Sequence, residues 1–300
     1  MIDKHLALRV GSANIQNLPD MPDFEVRSDV KKASDYADLL LWQEIGEKAD
    51  LKAIIETLGS DTWGTSGTGK ETVVSWKRDR FTAVGKSSST LLSAGLGPGK
   101  NSPPRWLTKV VLDTGIEGAP LIEAHSIHYI QGAWVRKNVP EKGLRKQLWT
   151  AAWMKHREHV LRARELGRIV VFGGDWNRSG HDVAPFHESQ RRLTPVGRGG
   201  IKNVDHVYVV VPQGVSVLGV PVTTRRSLYS DHDFVGGVVQ LGFKVPEPVR
   251  PPSVERAVAA MADARAYLRG VPSNVNEPWP GRVKQAMTEL QAAINTLYGK

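Results

Sequence analysis

Through the first 243 residues, short apolar runs and alternating apolar/polar stretches recur, each closed by Gly, Pro, Ser, Asn or Asp, and this pattern predicts many strands with few helices. Strands are expected at 6–15, 38–43, 71–76, 81–89, 106–113, 120–128, 168–172, 205–211, 215–222 and 233–243. Polar or amphipathic stretches predict helices at 26–37, 48–58 and 144–166. Strand meanders broken by so few helices require two sheets packed face to face with the helices outside. The expected class is α/β, a four-layer α/β/β/α sandwich of two mixed sheets.

The pattern changes after Phe243. KVPEPVRPPS, at 244–252 and into Ser253, is a linker whose four prolines oppose regular structure. Two helical stripes follow: Val254, Val258, Met261, Ala264 and Leu268, then Val283, Met287, Leu290, Ile294 and Leu297. Residues 253–300 therefore read as a helical hairpin, with Ser253 as N-cap of its first helix, and residues 1–243 as the main domain.

Composition narrows the chemistry. The chain has no cysteine, so disulfides, zinc-thiolate sites and cysteine nucleophiles are excluded. No apolar run reaches the roughly 20 residues that span a bilayer, and MIDKHLALRVGSANI lacks a secretory h-region, so a cytoplasmic location is expected. Lys and Arg outnumber Asp and Glu by 40 to 31, a balance that suits a polyanionic partner. Ten of the basic residues fall between Arg136 and Arg168, a stretch that reads equally as a solvated helix face.

Polar residues at strand ends carry the chemistry. Asp175 and Asn177 follow the buried run Ile169–Phe172 and the pair Gly173–Gly174, whose missing side chains permit a tight turn and close approach of a substrate. A carboxylate there can orient or deprotonate water and an amide can hold a phosphoryl oxygen, although an Asx turn has the same spelling. Glu44 follows Leu39–Trp42, and a carboxylate after so apolar a strand calls for a cation partner, read as magnesium. Asn14 ends the first strand and can face either metal or phosphate. His232 follows Asp231, and Asp205 is its expected orienting carboxylate. His125 is expected to pair with Glu71, with His128 competing for the same role. Arg105 and Arg178 can clamp phosphate.

This ordered set of Asn14, Glu44, Glu71, His125, Asp175-x-Asn177, Asp205 and Ser230–Asp231–His232 resembles the endonuclease/exonuclease/phosphatase superfamily, with its deoxyribonuclease I-like fold, over residues 7–243. The resemblance implies that Glu44, with Asn14 and Asp231, binds Mg²⁺ or Mn²⁺. It implies that Asp175 and Asn177 align nucleophile and phosphate, and that His232, backed by Asp205, contacts the scissile phosphate. Abasic-site members carry a tyrosine at the position of His125 and an Asp at that of Gln16, and these departures move the resemblance towards deoxyribonuclease I-like, phosphatase or sphingomyelinase-like members. The leading expectation is a Mg²⁺-dependent nuclease of low sequence specificity acting on DNA ahead of RNA. Alternatives are a phosphatase or phospholipase of the same fold and a catalytically idle nucleic-acid-binding module. The near-match to a phosphate loop in GTSGTGKET fails, because Glu71 stands where a Ser or Thr must hold magnesium and a strand follows.

Overall fold

A computed structural model of the protein describes residues 2–15, 22–45, 48–66, 70–97, 102–135, 138–178, 193–199 and 204–245. The chain divides into two units, Met1–Glu247 and Pro248–Lys300. The expected hairpin at 253–300, and Gln16, lie outside the described residues.

One sheet has the order β12 (Val215–Ser227), β13 (Asp233–Val245), β1 (Ile2–Asn14), β2 (Leu39–Gln43), β4 (Thr72–Lys77), β3 (Trp63–Thr65). The other runs β10 (Leu193–Gly199), β11 (Asp205–Val210), β9 (Ile169–Asp175), β8 (Ile122–His128), β7 (Arg105–Asp113), β5 (Thr82–Ala83), with β6 (Ser88–Ser93) also on β7. Each sheet contains one parallel pair, β1/β2 and β8/β9, and the described pairs around them are antiparallel. Parallel neighbours need a crossover. Helix α1 (Asp23–Tyr36) supplies one and α3 (Lys142–Glu165) the other, while α2 (Lys48–Leu58) lies between β2 and β3 in the chain.

Among the described residues, three apolar clusters define the layers. Leu8, Val10, Leu41, Ala124, Val171, Val207 and Val239 fill the space between the sheets. Val26, Val30 and Ala33 of α1 pack with Ile54 of α2 on Leu40, Trp42 and Phe234. Trp149, Ala152, Val160 and Ala163 of α3 cover Ile127, Val170, Phe172 and Tyr208. The result is the α/β/β/α sandwich. Along α3 the buried positions Arg145, Trp149, Ala152, His156, Val160 and Ala163 advance by three or four residues, the spacing of one helix face.

Most expected elements form, with instructive exceptions. The single strand expected at 81–89 is two pieces, because Gly85 takes φ 76° and breaks it. Strand β3 is only three residues long and β10 contains Pro195, so neither carries a strand-like pattern. Two members of the basic stretch serve the fold: Arg145 donates to the Gln131 and Pro140 carbonyls, and Arg168 donates to Glu123. Among the described residues, no helix is long and apolar enough to cross a membrane.

Candidate active site

The carboxyl ends of both parallel pairs lie where the site forms. Asn14 ends β1, Glu44 follows β2, His128 ends β8 and Asp175 ends β9. Antiparallel strands start at that same edge, so Glu71 before β4, Arg105 at the head of β7, Asp205 at the head of β11 and His232 before β13 join them. Register completes the alignment: His128 pairs with Asp175, and Asp175 with Asp205. Residues paired across strands share a sheet face. That face is set by period two: Asp175 has the parity of Val171, Asp205 that of Val207, His128 that of Ala124 and Asn14 that of Leu8 and Val10, all in the layer between the sheets.

Asn14 Nδ2 donates to Glu44 Oε1 at 3.1 Å and to Asp175 Oδ2 at 3.3 Å, tying the two carboxylates together. Asp175 Oδ1 accepts the Asn177 N–H at 2.7 Å, an Asx turn, while Asn177 Nδ2 donates to Asp175 Oδ2 (3.1 Å) and to the Tyr129 carbonyl (3.0 Å). His232 Nδ1 is 2.8 Å from Asp205 Oδ2, and its Nε2 lies 3.9 Å from Asp175 Oδ2. The turn before it is held by Ser230, whose Oγ donates to the Asn14 carbonyl at 2.7 Å and accepts the His232 N–H at 3.2 Å. Two non-glycine residues here, Glu44 (φ 59°) and Asn177 (φ 48°), adopt left-handed backbone. Asn tolerates that region; for Glu it costs about 1–2 kcal/mol, strain of the kind found at functional positions.

The structure corrects the histidine assignment. His125 has the parity of Ile127 and faces α3, fully buried, with Nε2 3.1 Å from Glu123 Oε1 and Nδ1 3.3 Å from His156 Nε2. His128 faces the site instead. Its Nδ1 is 3.1 Å from Glu71 Oε2 and 2.8 Å from Arg105 Nη1; its Nε2 is 3.5 Å from Asp175 Oδ2 and 3.8 Å from Glu44 Oε1. Glu71 therefore pairs with His128 and with Arg105, and accepts the Trp106 N–H as well. Both faces of β8 are buried, so hydrophobicity alone could not say which histidine turns inward.

Among the described residues, Glu44, His128 and Asp175 offer ligand atoms within 4.8 Å of one another. Asp231, expected among the metal ligands, is not in that group: its side chain is 42% exposed and its Oδ1 lies 3.5 Å from His232 Nε2. The donors suit a divalent cation, being two carboxylates and an imidazole at one point. With its proton on Nδ1, given to Glu71, His128 would direct the Nε2 lone pair at that point, the carboxylate–histidine support common beneath metal ligands. With the proton on Nε2 and Nδ1 accepting from Arg105, it becomes a donor to substrate. Arg178 sets its guanidinium 3.9 Å above the Trp134 ring and 4.9 Å above Trp149.

Electrostatics follow from burial and crowding. Burial, reinforced by Asp175, pushes Asp205 up to about 7 against the opposing hydrogen bond from His232. Burial also raises Glu71, yet His128 and Arg105 outweigh it and hold this carboxyl below its usual range.

Beneath the site lies a polar layer that the sequence reading missed. Ser12 Oγ donates to Gln43 Oε1 within one sheet, while Gln43 Nε2 donates to Ser126 Oγ and Ser126 Oγ donates to the Trp42 carbonyl across to the other, all buried. Thr72 and Thr108 make a second such link at 2.9 Å. Its signal was the run of small polar residues at the inward parity near strand ends. Gly174 permits the close approach beneath Asp175, since a Cβ there would stand 1.8 Å from the Ile127 carbonyl oxygen.

No protein-family model matches the sequence, and no curated protein matches it. Solved structures do share the fold. An endonuclease/exonuclease/phosphatase family protein from Bacteroides thetaiotaomicron aligns with a TM-score of 0.57 at 17% identity, over 81% of this chain and 100% of its own. TDP2 from Caenorhabditis elegans gives 0.53 at 14% identity, over 80% and 75% of the two chains. A mannosyl-6-phosphatase from B. thetaiotaomicron gives 0.53 at 14% identity, over 78% and 98%. At these identities the likeness establishes the fold.

Proposed function

We propose, from a fold shared with endonuclease/exonuclease/phosphatase proteins, that this chain is a metal-dependent phosphodiesterase whose substrate is nucleic acid, DNA before RNA. The observation that carries the reading is the convergence of Asn14, Glu44, His128, Asp175 and His232 from four different strand ends and one turn onto a single carboxylate-rich point. The excess of 40 basic over 31 acidic residues suits a polyanion held by its backbone with little base readout.

Glu44, Asp175 and the Nε2 of His128 would hold Mg²⁺ or Mn²⁺, which supplies Lewis-acid neutralisation of phosphoryl charge when bound. Asp175 Oδ2 is the carboxylate oxygen that faces His128 and His232, so it is the atom suited to orient a water for in-line attack. Asp205 fixes the His232 ring through Nδ1 and supports its protonated form; Nε2–H then donates to a non-bridging oxygen as negative charge develops. Arg105, braced by Glu71, adds fixed positive charge beside His128.

A phosphomonoesterase is the second reading, favoured by the equal fold likeness to the mannosyl-6-phosphatase. Supercoiled plasmid, end-labelled single- and double-stranded oligonucleotides and mannose 6-phosphate, each with and without Mg²⁺ or Mn²⁺, separate the two. Nicking or trimming that needs the ion and vanishes in Asp175→Ala supports the nuclease. Phosphate release from the sugar with intact DNA rejects it. Ion-independent DNA binding without turnover of any ester marks an idle binding module.

A further inference from the structure

Two exposed aromatic rings lie on elements that also carry the candidate site. Among the described residues, the exposed large hydrophobics include just two aromatics, Phe24 at 63% and Tyr229 at 60% exposure. They touch each other, edge to face, with ring centroids 6.3 Å apart. Phe24 lies in the first turn of α1, the crossover that follows Asn14, and Tyr229 lies in the turn from β12 to β13, three residues before His232. Three residues of chain span at most about 11 Å, within reach of a nucleotide adjoining the scissile phosphate.

This turn is held in place from below. Asp29 of α1, 1% exposed, accepts the Tyr229 N–H at 2.8 Å and the Ser230 N–H at 3.0 Å. Ser230 in turn bonds Asn14 and His232. One buried carboxylate therefore fixes an exposed ring to the same turn that carries the catalytic candidates. The flank is basic: Lys32 Nζ donates to the Ser227 carbonyl at 2.6 Å, and the exposed Arg226 lies over Tyr36 at 4.5 Å. Packing alone does not account for rings left in water, and a phosphate beside cations does not use them. A nucleobase does, because every base has a π face that stacks on an aromatic ring whatever its sequence.

We infer that Tyr229 and Phe24 form a stacking platform for the base of a nucleotide flanking the scissile phosphate, so that the preferred substrate has that base unpaired, as in single-stranded DNA or a frayed end. This rests on the nuclease reading above.

The test compares kcat/KM for a labelled single-stranded oligonucleotide, for the same strand annealed to its complement, and for methyl p-nitrophenyl phosphate, which has no base. In Phe24→Ala/Tyr229→Ala, the ratio of single-strand to methyl p-nitrophenyl phosphate turnover falls about 5–100-fold, the worth of one stacked base. Replacing single bases by tetrahydrofuran lowers cleavage by the wild type at one position near the cut and leaves the double variant insensitive there. Tyr229→Phe, which keeps the ring, retains the preference. A proportional loss on both substrates overturns the platform and leaves the nuclease reading standing, as does a concentration-dependent dimer of the wild type that dissociates in the double variant. Hydrolysis of methyl p-nitrophenyl phosphate without cleavage of any oligonucleotide overturns both.

Discussion

Exchanging the roles of two histidines three residues apart gives the sharpest test of the site. His125→Ala removes an imidazole from between Glu123 and His156 in a region with no exposure. Disrupting a buried hydrogen bond costs about 1–3 kcal/mol for each group stranded. Glu123 keeps Arg168 and has Lys109 at 3.5 Å, which holds the total near the low end, about 2–4 kcal/mol. For a body of this size that lowers Tm by about 5–15 °C. His128→Ala instead removes a ring that touches Glu71 and Arg105 and faces Glu44 and Asp175. Losing one preorganised group at a phosphoryl site costs about 100-fold or more in kcat. Thermal melts and ion-dependent plasmid nicking, at a temperature where both variants are folded, separate the effects: His125→Ala keeps kcat within about threefold while His128→Ala loses it. If His125→Ala loses the greater turnover, the parity argument that turns His128 inward is wrong.

Four further outcomes follow from particular contacts. Glu123 is held down to about 2 from 4.5, its burial outweighed by His125 and Arg168, so the stability it adds is complete above pH 4.5 and lost as pH falls towards 2. Burial also lowers His125 and His156 below 6.5, so the unfolded chain takes up their protons first and stability begins to drop below that pH; a urea midpoint unchanged from pH 7.5 to 5 contradicts this. Asp205→Asn replaces a charge-assisted contact with His232 and lowers kcat about 10–100-fold, with the urea midpoint held because burial already disfavours the charge; a lowered midpoint with normal kcat rejects that role. Gly174→Ala forces a Cβ against the Ile127 carbonyl, parts β8 from β9 and costs about 3 kcal/mol or more, whereas Gly143→Ala on α3 meets nothing within 4 Å and is neutral or stabilising; equal melts for the two refute the close-approach argument.

Much of this architecture was legible along the chain because local rules suffice for it. Period-two and period-3.6 patterning marked most strands and all three described helices. The polar residues stranded at the ends of apolar runs, Asn14, Glu44, Asp175 and His232, stood out without any knowledge of which strands would be neighbours, and they do meet. Beyond reach were β3 and β10, whose few residues are held in place by partner strands and carry no pattern of their own.

Tertiary structure alone decided the arrangement of the donors. In β8 both faces are buried, one by the opposite sheet and one by α3, so the sequence could not tell His125 from His128; the register with β9 does. Asp231 and Asp175 are equally acidic on paper, but the turn before β13 leaves the first 42% exposed, while β9 carries the second into the layer between the sheets, beside Glu44 and His128. Sequence determines which side chains can do chemistry because composition and periodicity are local. Which of them meet depends on strand register and sheet packing, and those are fixed only when distant segments pair.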